Sequence, residues 1–400
     1  MIPSQRVRAV SEAQFDALKL KAAQLRAAGH DVINLGQAVP GWGPPPSATA
    51  AAAAALADPE AHLYSADAGL IELREALAAR LRETHGATAT ADDIIITAGG
   101  NQAFMLAAMS VIDAGDEVIL PSPLFINHRM SVEAIGGVPI EAPLQEQHGF
   151  RPRWSDIAPA VTARTRALVL CSPSNPTGAV VDPDELQRIS SEARRRDITL
   201  ICDETYHRLV FGGAVHCSGA SLPHWRDHVV VVGTFSKSFG MTGWRIGYML
   251  ASSTLCDQAI KIQDAMIICA PVIAQRAVLA AIGQDWDYPL RFLPELEARR
   301  AALRSGFEQV PGWRWIEAMG GLFAFVRVDG SHSAAALAAH ALEQTQVVTI
   351  PGSMFGRSGE GYLRLSYGAA TAAQLSEACR RLGRMTPLPD ESAGPIPPSI

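Results

Sequence analysis

VVVVGTFSKSFGMTGWR, residues 229–245, opens with four consecutive valines and no polar alternation. Such a run reads as a strand buried on both faces, the habit of a parallel sheet covered by helices. Directly after it stands one lysine, Lys237, among small hydroxyls and glycines, with Arg245 eight residues further on. A lone lysine after a strand is ordinarily a solvated loop charge. The carboxyl ends of parallel strands, however, are where open α/β sheets place their sites.

Three other strand ends carry polar residues of a matching kind. DIIIT runs into the glycine turn AGGNQAF, which opens a helix and leaves backbone N–H groups free for a phosphate. RALVLC leads into CSPSNPTG, with Asn175 in a proline-flanked turn, and ITLICDETY delivers Asp203 and Tyr206. These runs, with EVIL, alternate with helical or loop segments, so the fold class is α/β with a largely parallel sheet. Upstream, LKLKAAQLRAAGHDVINLGQ predicts a helix stopped at Gly29 and a short strand, followed by the loop GQAVPGWGPPP. From about Asp285 a charged helix, the strands WRWI and GLFAFVRV and a last helix predict a smaller α+β domain. The loop GQAVPGWGPPP and the change of pattern near Asp285 mark crossings between domains, and a proline-rich tail, 385–400, reads as disordered.

Composition sets the limits. Four hundred residues with 48% hydrophobic and 18% charged side chains can bury a sizeable pocket. No apolar run approaches the roughly 20 residues of a membrane helix. A net charge of −6 speaks against a nucleic-acid footprint. The N-terminus lacks the pattern of a secretory signal, and six scattered cysteines without CxxC spacing read as reduced packing thiols, so the expected address is cytoplasmic. No histidine or cysteine spacing predicts a metal site.

A lysine, an acid, a phenol, an amide and an anion cradle at one sheet edge suit pyridoxal 5'-phosphate. Lys237 is the amine that forms a Schiff base with its aldehyde, most readily when unprotonated. Asp203 is the carboxylate that keeps the pyridine nitrogen protonated. Tyr206 and Asn175 are placed to hydrogen-bond the ring's 3-oxygen. Arg245 fits the phosphate, with the hydroxyls of Thr234 and Ser236 and the backbone at Gly99, Gly100 and Asn101.

SKSFGMTGWRIGY, PSNPTG, DETY and LRLSYG, in this order and spacing, resemble the signature set of the class I/II aminotransferases, fold-type-I pyridoxal phosphate enzymes, nearest the aspartate aminotransferase-like subgroup. The resemblance runs to about Arg384. It implies a mixed seven-stranded sheet in a large domain of residues 46–284, a small domain built from both termini, residues 1–45 and 285–384, and a homodimer with shared active sites. It further implies that Arg364 holds the substrate α-carboxylate, that Gly36 borders the substrate, that Phe125 stacks on the cofactor ring, and that Tyr64 reaches the phosphate of the neighbouring subunit. Amino acids and 2-oxo acids are then the substrates. The same scaffold hosts β-lyases, cyclising synthases and oxygen-consuming oxidases, and a non-catalytic cofactor-binding regulator is the alternative outside catalysis.

Phe125 stands where many relatives have Trp or Tyr, and GQAVPG replaces a GEPDF-like loop. Asn101 follows the paired glycines where acidic-substrate relatives carry lysine, which predicts a neutral substrate side chain. Ala38 and Val39 point the same way. His128 and His207, near Phe125 and Tyr206, are further candidates for substrate contact. Trp313 and Trp315 read as packing, and the arginines 194–196 as a solvated helix end.

Overall fold

The structure, a computed structural model, describes residues 1–11, 16–386 and 388. The reading of 385–400 as disordered therefore falls, from 389 onward, outside the described residues.

Thirteen strands are formed among the described residues: β1 (Ile33–Asn34), β2 (Ile94–Thr97), β3 (Glu117–Ser122), β4 (Val138–Pro143), β5 (Thr165–Cys171), β6 (Thr199–Asp203), β7 (Val229–Thr234), β8 (Gly247–Leu250), β9 (Trp313–Ile316), β10 (Phe323–Val328), β11 (Val347–Val348), β12 (Ile350–Pro351) and β13 (Tyr362–Ser366). Seven of them make one sheet in the order β2-β8-β7-β6-β5-β3-β4. Every neighbouring pair is parallel except those made by β8, which runs antiparallel to β2 and β7. The valine-rich β7 is buried along its whole length, as a strand covered on both faces must be. One face packs on a core containing Leu168, Leu200 and Val231, the other on a core containing Val118, Ile201 and Val230. Alternate residues of single strands serve opposite layers, which is why the sequence shows runs rather than alternation.

The short strands β4 and β8 are absent from the sequence reading. β8 has only four residues and is joined to the lysine segment by a single helical turn, Thr242–Trp244, so nothing local announces its reversal. Its first residue explains a glycine. A Cβ on Gly247 would stand 2.7 Å from the Gly233 carbonyl oxygen and 3.0 Å from the Gly100 nitrogen, because the turn after β2 lies directly over it.

The smaller domain holds an antiparallel sheet in the order β12-β13-β10-β9. Its packing includes Phe307, stacked on Trp313 with ring centroids 5.3 Å apart, in line with the packing role read for that tryptophan. The chain's beginning is woven into this domain: β1 pairs in parallel with β11, and the Ser366 N–H donates to the Leu35 carbonyl. That pairing carries Gly36 to the end of β13, within reach of Arg364 in the middle of the strand. Among the described residues no helix is long and apolar enough to cross a membrane.

Candidate active site

A cavity of about 270 Å³ opens at the carboxyl ends of β5, β6 and β7. Of the residues singled out from sequence, it brings together Ala38, Gly100, Asn101, Phe125, His128, Asn175, Asp203, Tyr206, Thr234, Ser236, Lys237, Arg245 and Arg364, while Gly99 stands just outside the lining. Strand register explains the convergence. Cys171 and Asp203 are paired across β5 and β6, and Thr234 and Thr97 both face Gly247, so the strands end on common rows from which the loops enter the cavity.

Lys237 lies on a short helical turn after β7, where the Thr234 hydroxyl accepts from the Ser236 N–H. Its Nζ donates to the Ala38 carbonyl at 2.7 Å, so the loop after Gly36 closes over the amine. Burial, reinforced by the charges of Arg364 and Arg245, brings its pKa down to about 8. Asp203 is buried, accepts from the Thr205 N–H at 2.9 Å, and lies 2.9 Å from His128 Nε2. Burial raises the carboxyl, but the hydrogen bond and charge of His128 and the Thr205 donors outweigh it and hold Asp203 below the usual carboxylate range. An ionised carboxylate only accepts, so Nε2 of His128 carries the proton. The His128 ring is stacked on Phe104 at 4.2 Å and edge-on to Phe125 at 5.2 Å.

Arg364 is buried and splits its fork: Nη1 donates to Asn175 Oδ1 at 2.9 Å and Nη2 to the Gly36 carbonyl at 2.6 Å. Its guanidinium carbon lies 4.8 Å from the Phe323 ring and 5.0 Å from Phe355. Burial lowers its pKa to about 10, and its Nε has no hydrogen-bond partner. Across the cavity Gly99 adopts φ 88° as N-cap of the helix Gly100–Val111. Arg245 lies against it, donating to Thr242 O at 2.9 Å and Ala98 O at 3.5 Å. The first N–H groups of that helix have no intrahelical partner and flank a guanidinium, the donor set an anion requires.

Gly36 does not line the cavity but reaches it through its carbonyl. Tyr64 lies outside it and is 77% exposed. Of the two further candidates, His128 enters the cavity behind Asp203. His207 turns away, its Nδ1 on the Glu204 carbonyl and its ring against His85 and His216. Thr205, Phe104, Asn127, Ser131, Cys171 and Thr242 complete the lining without having been singled out. Phe104, Cys171, Thr205 and Thr242 lie inside segments read from the sequence, AGGNQAF, CSPSNPTG, DETY and SKSFGMTGWRIGY, whereas Asn127 and Ser131 lie in none of them. Among the described residues no group of histidine, cysteine or acid side chains is arranged to hold a metal ion.

The residues present fit pyridoxal phosphate: a buried amine held below the lysine range, an ionised buried carboxylate, and a guanidinium beside free helix N–H groups. The description "Aminotransferase class I and II" matches residues 30–382. The chain is 33% identical over 369 residues to a probable aspartate/prephenate aminotransferase of Aquifex aeolicus, covering 90% of this chain and 93% of the other. It is 34% identical over 377 residues to a valine–pyruvate aminotransferase of Mycobacterium tuberculosis, covering 92% and 94%. The structure of aspartate aminotransferase from Thermus thermophilus with maleate superposes with a TM-score of 0.89 at 32% identity, covering 96% of this chain and all of that one. The chain belongs to the class I and II aminotransferases. It is a pyridoxal phosphate-dependent enzyme that transfers amino groups.

Proposed function

We propose that the chain moves the α-amino group of an amino acid with a neutral side chain to a 2-oxo acid, as a homodimer in a reducing, cytoplasmic compartment. Arg364 carries the reading. It is buried, lines the cavity, is held between the Gly36 carbonyl and Asn175, and keeps an unpartnered Nε. A carboxylate there gains charge-assisted hydrogen bonds and relieves an orphaned donor. Arg364 thus binds the α-carboxylate and orients Cα toward Lys237.

Bound pyridoxal phosphate supplies the carbonyl that captures the amino group and a ring that accepts the electron pair left at Cα. Lys237 Nζ, lowered to a pKa of about 8, takes the Cα proton as general base. Asp203, oriented by His128 and Thr205, would hold the pyridine nitrogen protonated. Tyr206 and Asn175 serve the ring's 3-oxygen, and Phe125 covers the ring. Arg245, Thr234, Ser236 and the backbone of Gly99, Gly100 and Asn101 hold the phosphate. In this reading the small domain comprises residues 1–45 and 285–384 and the large domain 46–284. Exposed Tyr64 completes the phosphate site of a second copy. Six unpaired cysteines support the reducing compartment.

Charge supports the substrate class. Among the described residues lining the cavity the fixed cations are Lys237, Arg245 and Arg364, each with a role above. None is left for a distal carboxylate, and Asn101 offers only a neutral amide. The valine–pyruvate relative shows by its name that the family accommodates an apolar donor. The test is a single-turnover survey following the cofactor's visible absorbance, with an oxo-acid product assay. Leucine, methionine, glutamine and phenylalanine should react faster than aspartate and glutamate. The reverse order overturns the neutral-pocket reading. Asn101→Lys should raise the rate with the acidic donors.

A further inference from the structure

Two glutamines outside the cavity lining form a directed chain of hydrogen bonds around the turn that follows β2. Gln263, on the helix Ser253–Ile267, is fully buried, and its Nε2 donates to the Ile96 carbonyl at 2.9 Å. Its Oε1 accepts from Gln102 Nε2 at 2.7 Å, and Gln102 Oε1 accepts from the Ala98 N–H at 2.8 Å. The ends fix the direction. A carbonyl only accepts and an N–H only donates, so both amides have one orientation that satisfies every partner. The chain leaves the backbone at residue 96 and returns at 98, closing a loop around Thr97. On the other side of Ala98 its carbonyl accepts from Arg245, and the Thr97 hydroxyl donates to the Gly99 carbonyl. A second branch of Gln263 Nε2 reaches the Asp67 carbonyl at 3.4 Å, while the Ile96 N–H donates to the Ala68 carbonyl. The segment carrying Tyr64 is thus tied to the same strand end.

We propose that Gln263 and Gln102 are positioning residues for the cofactor's phosphate: their paired amides clamp residues 96–98 so that the N–H groups at Gly99, Gly100 and Asn101 stay aimed at the anion. The inference rests on the phosphate cradle proposed above. A glutamine buried among apolar side chains is costly unless both ends of its amide are paired, and here each pairing bears on the turn. Removing Gln102 frees the Ala98 N–H directly, whereas removing Gln263 frees the Ile96 carbonyl and takes from Gln102 Nε2 the acceptor that anchors its amide under Ala98; either break lets the turn relax. The loss falls on the phosphate rather than on the ring or on Lys237.

The test uses the full chain stripped of cofactor and titrated with pyridoxal 5'-phosphate or with pyridoxal, which lacks the phosphate. Gln263→Leu should weaken pyridoxal phosphate by about tenfold, the worth of one buried hydrogen bond, and leave pyridoxal within about twofold. Gln102 is only partly buried, so Gln102→Met gives a second, milder break with the same expected selectivity. The double variant should again lose about tenfold rather than a hundredfold, because either break opens the same continuous chain from the Ile96 carbonyl to the Ala98 N–H. Equal losses for both ligands, no loss for pyridoxal phosphate, or additive losses would each overturn the clamp. Arg245→Ala runs alongside. A phosphate-selective loss there with none in the glutamine variants sinks the clamp alone, and no selectivity in any of the three sinks the cradle and the clamp together.

Discussion

Replacing Gly99 by alanine should damage the enzyme far more than the same change one residue later. Gly99 has φ 88° and ψ 171°, a conformation that is essentially confined to glycine and costs a side-chain-bearing residue about 1–3 kcal/mol. Space is the second problem. The new Cβ would stand 2.4 Å from Arg245 Nη2 and 2.9 Å from its Cζ, so the guanidinium must move. It is held by the Thr242 and Ala98 carbonyls, and displacing it forfeits a charged hydrogen bond worth about 1.5–3 kcal/mol, or roughly tenfold to a hundredfold in phosphate affinity. At Gly100 the added Cβ would meet Thr234 Cβ at 3.4 Å, a tight but yielding contact, at a helix start where alanine is favoured. Urea unfolding of the cofactor-free chain should therefore show Gly99→Ala destabilised by about 1–3 kcal/mol and Gly100→Ala close to wild type. Cofactor titration should show the larger loss at Gly99. Equal stability of the two variants, with unchanged cofactor affinity in Gly99→Ala, would refute the reasoning.

Two further outcomes are expected. Below pH about 8 the Lys237 amine is mostly protonated, so covalent attachment of the cofactor to the stripped chain should rise with pH through a midpoint near 8 and level off above it; Lys237→Ala should abolish attachment and turnover. Arg364→Leu, which removes the larger of the two charges depressing the lysine, should move that midpoint upward, and stopped-flow absorbance across the pH range reads both effects. Arg364→Leu should also raise the amino-acid KM by at least about tenfold while cofactor retention holds, and Arg245→Ala should do the opposite, as two charge-assisted contacts to different groups require. Exchanged phenotypes in steady-state kinetics and cofactor titration would reverse the two assignments.

Local chemistry was legible in the sequence wherever a single short segment carries it. The valine run announces a doubly covered strand, and the glycine turn after DIIIT announces a helix N-terminus. Lys237, Asp203 and Asn175 stand at strand ends because the strands stop there. Only the tertiary structure decides what meets across distance. Arg364 finds Gly36, 328 positions away, because β1 pairs with β11 and delivers the chain's beginning to the end of β13. His128 lies behind Asp203 while His207, an equal candidate by its neighbours, faces His85 and His216; one helix and one loop differ in the direction their side chains take. The reversal of β8 and the glutamine chain around residues 96–98 left no trace in the sequence. A hydrogen bond between remote side chains has no period and no local composition, and a four-residue strand takes its direction from the strands beside it.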